Sequence, residues 1–160
     1  MSPLWTSDEV AKAMGATIGA AFEAGGVTFD SRAVNKGDLF FALAGETTDG
    51  HGFVAEAMKR GAAAAVVSRD VESAGGTLIR VPDTMKALVD LGRAARRRSP
   101  ARIASVTGSV GKTSTKDALR AMLSAQATTS ASAASFNNHV GVPISPVSYT
   151  HLTLPTIYSV

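Results

Sequence analysis

The chain has 160 residues, 45% of them hydrophobic, enough for one medium domain or two small ones with a sizeable core. Its 16 Lys and Arg against 13 Asp and Glu leave a net charge of +3, a slight excess that does not imply nucleic acid as a partner. The lack of cysteine excludes disulfides, thiolate zinc sites and a Cys nucleophile, and "MSPLWTSDEV" has no basic start followed by an apolar run, so a soluble, unexported, cytoplasmic protein without membrane insertion is expected.

The first element is a short helix in "TSDEVAKAMG", with Thr6 as N-cap, Glu9 three residues on, Val10, Ala13 and Met14 on one face, and Gly15 as the stop. "GVTFDSRAV", the turn "NKGD" and the apolar run "LFFAL" then read as strands joined by loops. "FVAEAMKR" places Phe53, Val54, Ala57 and Met58 on one helical face before Gly61, and "AAAAVVS" and "TLIRV" follow as buried strands. In "PDTMKALVDLGRAARRRSP" the positions Met85, Leu88, Val89 and Gly92 predict a core-facing stripe, on a helix that connects two units. The strand "ARIASVTG" leads into a glycine loop, and "TKDALRAMLSA" continues as a helix with Ala118, Met122 and Leu123 inward. Strands alternating with helices argue for an α/β fold with a boundary near residues 80 to 100.

The glycine loop carries the clearest chemistry. Gly108, Ser109, Val110, Gly111, Lys112 and Thr113 form G-x-x-G-K-T, two residues tighter than the usual P-loop, with Val106 where the first glycine of that motif stands. Glycines let backbone N–H groups turn toward phosphate oxygens, the following helix presents its positive end, and Lys112 adds a mobile cation. The Thr113 hydroxyl suits Mg2+, and Ser114 completes the loop. A plain glycine turn before a solvated helix would carry the same letters; the order strand, loop, helix favours phosphate binding.

"TGSVGKTSTKDAL" resembles the ATP loop of the Mur ligase family, cytoplasmic enzymes of bacterial peptidoglycan precursor synthesis. Independently, Thr28 to Val67 resembles the uridine-diphosphate-binding domain of the members that add the third residue or the terminal dipeptide. "FNNHVGVP", Phe136 to Pro143, leans toward the dipeptide-adding member. The resemblance implies an ATP-driven amide ligation with ATP and Mg2+ as cofactors, UDP-N-acetylmuramoyl-tripeptide as the carboxyl partner and D-alanyl-D-alanine as the amine. Gly108 to Ser114 would hold the triphosphate, with Lys112 and Thr113 the catalytic pair and Thr113 on the metal. Ser31 and Arg32 match the family position that meets uridine diphosphate, the loop Gly45 to His51, with Thr47 and Asp49, would flank it, and Asn137 and Asn138 would face the reacting groups.

Several features invite a second reading. Arg93, Arg96, Arg97, Arg98 and Arg102 could form an anion patch, but cations at a helix C-terminus are favoured by its dipole and are usually solvated. Arg32 could equally be a salt-bridging surface residue. His51 in "DGHGF" reads as orienting its loop by hydrogen bonding, His139 stays unassigned, and the three His fit no metal-ligand spacing.

The resemblance ends at about Ser145, where Pro146 and Pro155 interrupt any helical period. The expected organisation is therefore a UDP-substrate unit of mixed α/β structure over 1–82, a connecting helix over 83–100, the start of an ATP-binding parallel sheet over 101–145, and a tail over 146–160 foreign to the family. Residues 121–160 contain no Asp, Glu, Lys or Arg, so none can supply the carboxylates or modified lysine such a ligase needs around a second metal, and no ligase turnover is expected of this chain alone. Three alternatives stay open: the related ligase that adds the third residue, a non-catalytic nucleotide or UDP-sugar binding module, and an unrelated P-loop kinase.

Overall fold

A computed structural model describes residues 3–45, 48–71, 75–131 and 156–159. It divides into two compact units, Met1–Leu91 and Gly92–Val160.

The first unit opens with the strand β1, Trp5–Thr6, and the helix α1, Ser7–Met14. The expected cap is present in both arms: the Glu9 backbone N–H donates to Thr6 Oγ1 at 3.4 Å, and the Thr6 N–H donates to Glu9 Oε2 at 2.9 Å. Gly15 ends the helix in the left-handed region. β1 pairs antiparallel with β2, Glu23–Ala24, which holds the only tryptophan, Trp5, 1% exposed, against the unit.

Next come β3, Gly26–Thr28, and β4, Asp38–Phe41; then the helix α2, Val54–Lys59, and the strands β5, Ala64–Val67, and β6, Thr77–Arg80. The four strands β3–β6 form one parallel sheet in sequential order, with Phe40 opposite Ala65 and Ala65 opposite Leu78. Parallel strands survive only when both faces are covered, and the sequence supplies this as continuous apolar runs. On one face Phe40, Ala42, Ala65 and Val67 pack with Val34, Val54, Ala57 and Ala62. The alternate residues Leu39, Phe41, Ala64, Val66 and Ile79 are buried as well. Each large side chain buried this way contributes about 1.5–3 kcal/mol. Phe53 departs from the expected stripe: it belongs to a 3-10 turn, Gly50–Phe53, that precedes α2, and it is exposed. The switch from three to 3.6 residues per turn rotates it off the face that Val54 and Ala57 bury.

The helix α3, Thr84–Arg98, begins on Asp83, whose Oδ1 accepts the N–H groups of Met85 and Lys86 at 2.8 and 3.0 Å. Its buried stripe is Thr84, Ala87, Leu88, Leu91, Gly92 and Ala95, with Met85 and Val89 only half buried. The predicted stripe is thus rotated toward smaller residues. The division between the two units falls between Leu91 and Gly92, inside this helix.

In the second unit β7, Ile103–Val106, leads through the glycine loop to α4, Lys112–Ser124. β8, Ser130–Ala131, and β9, Thr156–Ser159, complete a parallel three-stranded sheet in the order β7-β9-β8. The inward face predicted for α4 is corrected. Ala118 is exposed and Met122 is 68% exposed, whereas Lys116 is buried and Lys112, Leu119 and Leu123 are half buried. The covered stripe follows positions 112, 116, 119 and 123, a helical period that hydropathy hides because two of its members are lysines. Among the described residues no helix is long and apolar enough to cross a membrane.

Candidate functional site

The two groups of candidate residues lie in different units, and each is built by its own strand ends. In the second unit, β7 ends at Val106 and the chain turns through Thr107–Gly111 into α4. The turn depends on Gly111, which caps α4 with φ of 79°, a left-handed conformation that a side chain resists, while Gly108 has φ of 151°. No side chain caps α4, so its first-turn N–H groups are not taken by a capping side chain.

Lys112 bends back over the loop, donating from Nζ to the Gly108 carbonyl at 2.5 Å. That contact puts the ammonium at the loop mouth, where a phosphate oxygen can replace a neutral carbonyl by a charged acceptor. Ser109, Val110, Thr113 and Ser114 are exposed around it. The exposed Thr113 hydroxyl is an oxygen donor of the kind that could hold a Mg2+ ion. Gly108, Ser109, Val110, Gly111, Lys112, Thr113 and Ser114 therefore lie together as the motif requires. Lys116, one turn further along, is buried with its Nζ 3.3 Å from Asp117 Oδ1.

In the first unit the candidates stand at the C-terminal edge of the parallel sheet, the edge at which open α/β sheets bind ligands. Ser31 follows β3 and is buried at the start of a 3-10 turn, Ser31–Ala33. Asp30 caps this turn, accepting the Arg32 N–H at 3.0 Å, and grips the Arg32 guanidinium through two further bonds of 2.9 and 2.8 Å. The side-chain bonds from Arg32, followed by its backbone N–H, hold the Asp30 carboxyl down at about 2. The same pairing raises the Arg32 guanidinium further above its ordinary value. The Arg32 side chain stays 81% exposed, so it keeps an open face while its orientation is fixed by Asp30.

Asp49 follows β4. Its Oδ1 accepts from the His51 backbone N–H at 2.9 Å and lies 2.6 Å from His51 Nδ1, and its Oδ2 accepts from Arg69 Nη2 at 2.7 Å. These donors, the His51 backbone N–H foremost, hold the Asp49 carboxyl well below the usual carboxylate range. His51 is buried, and its Nε2 accepts the Ser68 N–H at 3.0 Å. A backbone N–H can only donate, so Nε2 carries the lone pair and the ring proton sits on Nδ1, facing Asp49. Beside this group a cleft of about 380 Å³ is lined by His51, Gly52, Ala55, Arg69, Asp70 and Val71.

Thr47, Asn137, Asn138 and the unassigned His139 lie outside the described residues. Asp30, Ser68 and Arg69 were not singled out by sequence. The pattern Asp-Ser-Arg, an Asx residue before a short turn, could have pointed to Asp30. Nothing local marks Ser68 or Arg69, which meet His51 and Asp49 across 17 and 20 residues. Of the basic cluster, Arg96 donates from Nη1 to the Ser99 carbonyl at 3.0 Å, closing the end of α3 as a helix-terminal cation does.

Comparison with known proteins matches both units. Residues 23–96 fit the model of the Mur ligase family catalytic domain, and residues 106–149 fit the Mur ligase middle domain. The UDP-N-acetylmuramoyl-tripeptide--D-alanyl-D-alanine ligase of Rickettsia prowazekii is 39% identical over 142 residues, 88% of this chain and 31% of the relative. The chain thus spans about a third of the length of that curated relative. A crystal structure of MurF from Acinetobacter baumannii superimposes with a TM-score of 0.84 at 30% identity, covering 98% of this chain and 36% of that one. The MurF ligase of Thermotoga maritima, solved in complex with ADP, gives a TM-score of 0.72 at 27% identity over 84% of this chain and 32% of that one. With the two family models in succession covering more than half of its residues, and with the glycine loop and the helix α4 in place inside the second, the chain belongs to the Mur ligase family.

Proposed function

We propose that the chain carries the UDP-substrate unit and the ATP loop of the ligase that joins D-alanyl-D-alanine to UDP-N-acetylmuramoyl-tripeptide in peptidoglycan precursor synthesis. The observation that carries this reading is the loop Gly108–Ser114, with Lys112 held at its mouth and open helix N–H groups behind it. The reaction proceeds in two displacements. The terminal carboxylate oxygen of the tripeptide attacks the γ-phosphorus and ADP leaves with the electron pair; the amine of the dipeptide then attacks the acyl carbon, loses a proton, and inorganic phosphate leaves.

Lys112 exchanges its Gly108 carbonyl for the β- and γ-phosphate oxygens and so offsets charge during transfer. Thr113 would hold Mg2+, which supplies charge neutralisation across the phosphates. In the first unit Ser31, Arg32 and the loop bearing Thr47 and Asp49 take the uridine diphosphate, with Arg32 oriented by Asp30 for it. Asn137 and Asn138 belong to the reacting end. The organisation proposed with this function is 1–82 for the UDP-linked substrate, 83–100 as connector and 101–145 for ATP, followed by a tail over 146–160, of which the middle-domain match still takes in residues 146–149.

The 160-residue chain is proposed to bind both ligands without turnover, because its residues 121–160 contain no Asp, Glu, Lys or Arg to supply the carboxylates or modified lysine around a second metal. The test is calorimetric titration of the chain with ADP and with UDP-N-acetylmuramoyl-tripeptide, beside an assay of phosphate release dependent on D-alanyl-D-alanine. Binding of both without release is expected. Robust release refutes the inactivity, and transfer of phosphate to a small hydroxyl acceptor refutes the ligase reading in favour of a kinase.

A further inference from the structure

We propose that His51 is the positioning residue that presents Asp49, and the segment Thr48–Gly50 that bears it, to the UDP-linked substrate, with Arg69 as the second tether of that carboxylate. This rests on the assignment of the loop to the UDP-linked substrate made above.

Two backbone bonds close the neck of the loop: Gly45 N–H to the Thr48 carbonyl at 2.9 Å and Gly50 N–H to the Leu43 carbonyl at 2.8 Å. Both are internal to the excursion after β4, so neither fixes its direction relative to β5. Asp49 supplies that reference. Its Oδ1 meets His51 Nδ1 at 2.6 Å, and His51 Nε2 takes the N–H of Ser68, the first residue after β5, at 3.0 Å. Ser68 directly follows the sheet strand β5, the His51 side chain is 2% exposed, and both ring nitrogens are committed to opposite partners. A ring held at both ends cannot rotate, so the Asp49 carboxylate inherits the register of β5. Arg69 Nη2, at 2.7 Å from Oδ2, ties the other oxygen to the residue that follows Ser68.

The same side chains invite a second interpretation, since Ser68 Oγ lies 3.1 Å from His51 Nε2 and the order Asp, His, Ser resembles an acyl-transfer relay. The Ser68 backbone N–H excludes it. That donor occupies the single Nε2 lone pair that a general base needs to accept the hydroxyl proton. The assembly holds geometry and moves no proton.

The test uses the 160-residue chain as wild type, His51→Ala, His51→Asn and Arg69→Ala, titrated with UDP-N-acetylmuramoyl-tripeptide by calorimetry and followed by amide hydrogen exchange. Loss of both ring bonds in His51→Ala is expected to weaken binding about tenfold. It is also expected to speed exchange at Gly45, Gly50 and His51 while leaving β4 and β5 amides unchanged. His51→Asn keeps a donor where Nδ1 stood and is expected to recover part of the affinity, a rescue that a space-filling role would not produce. Arg69→Ala cuts an exposed tether without touching the core, and is expected to weaken binding about threefold even if His51→Ala does not fold. Unchanged loop exchange in His51→Ala, or faster loop exchange with wild-type affinity, overturns the proposal. Failure of the wild-type chain to bind overturns the substrate assignment itself, and is told apart because the exchange measurement needs no ligand.

Discussion

Replacing Gly50 by Ala is a sharp test of how tightly the loop after β4 is folded onto its own strand. An added Cβ would stand 2.7 Å from the Leu43 nitrogen, 2.8 Å from the Leu43 oxygen and 3.0 Å from the Ala42 carbonyl carbon. All three are backbone atoms of the strand exit, so no side chain can swing aside. Relief requires the two chain segments to part, which lengthens the Gly50 N–H to Leu43 carbonyl bond of 2.8 Å. Forced overpacking and one lost hydrogen bond together cost about 2–4 kcal/mol. For a unit of this size the melting temperature falls by roughly 4–8 °C per kcal/mol, so a drop on the order of 10–25 °C is expected. Urea unfolding followed by Trp5 fluorescence reads this cleanly, because the single tryptophan is buried in the first unit. Gly52→Ala is the matched control, with nothing within 4 Å of its added Cβ, and should stay within about 0.5 kcal/mol of wild type. If Gly50→Ala proves as mild as Gly52→Ala, Gly50 does not pack against Leu43 as described and the Gly50–Leu43 bond does not close the neck of the loop.

Further expectations follow from other elements. Thr6→Ala removes the side-chain acceptor of the capping box and should cost about 1 kcal/mol by urea unfolding, with a change under a few tenths refuting the cap. Phe40→Ala opens a cavity in a side chain 1% exposed and should cost about 3–5 kcal/mol, or leave the unit unfolded by circular dichroism. Lys112→Ala should weaken ADP binding about tenfold in a calorimetric titration, with Met122→Ala, 68% exposed and outside the loop, as the silent control; equal affinities would remove Lys112 from the phosphate site. Asp30 has a folded value of about 2, below the ordinary aspartate value of about 3.9. Its contribution to stability is therefore complete above about pH 4 and is lost as the pH falls toward 2. The urea midpoint of the wild type should fall toward that of Asp30→Asn across this window, and parallel curves would refute the pairing with Arg32.

What the sequence disclosed, and what it withheld, follows the range of the interactions. α1 is legible because every signal for it is local: Thr6 and Glu9 three residues apart, Gly15 just beyond the last turn. The buried strands announce themselves as apolar runs, since a parallel sheet must cover both faces. On α3 Leu88 and Gly92 are buried as predicted, whereas Met85 and Val89 are only half buried and the stripe is completed by Thr84 and Ala95, small residues that a search for large apolar side chains passes over. On α4 the hydropathy reading fails outright at Lys116, a cation on the covered face. The phosphate loop could be read from Gly108 to Ser114 because it folds on itself; the grip on Asp49 could not, because Ser68 and Arg69 reach it only through the pairing of β4 with β5.

The contact between Lys112 and the Gly108 carbonyl bears on the kinetics of nucleotide capture. A loop already wrapped around its own ammonium does not have to be ordered when a ligand arrives, so encounter requires only the exchange of one acceptor for another. Arrival rates for ADP and ATP should then differ little, and selectivity between them should reside in residence time, set by how many phosphate oxygens compete with a single carbonyl.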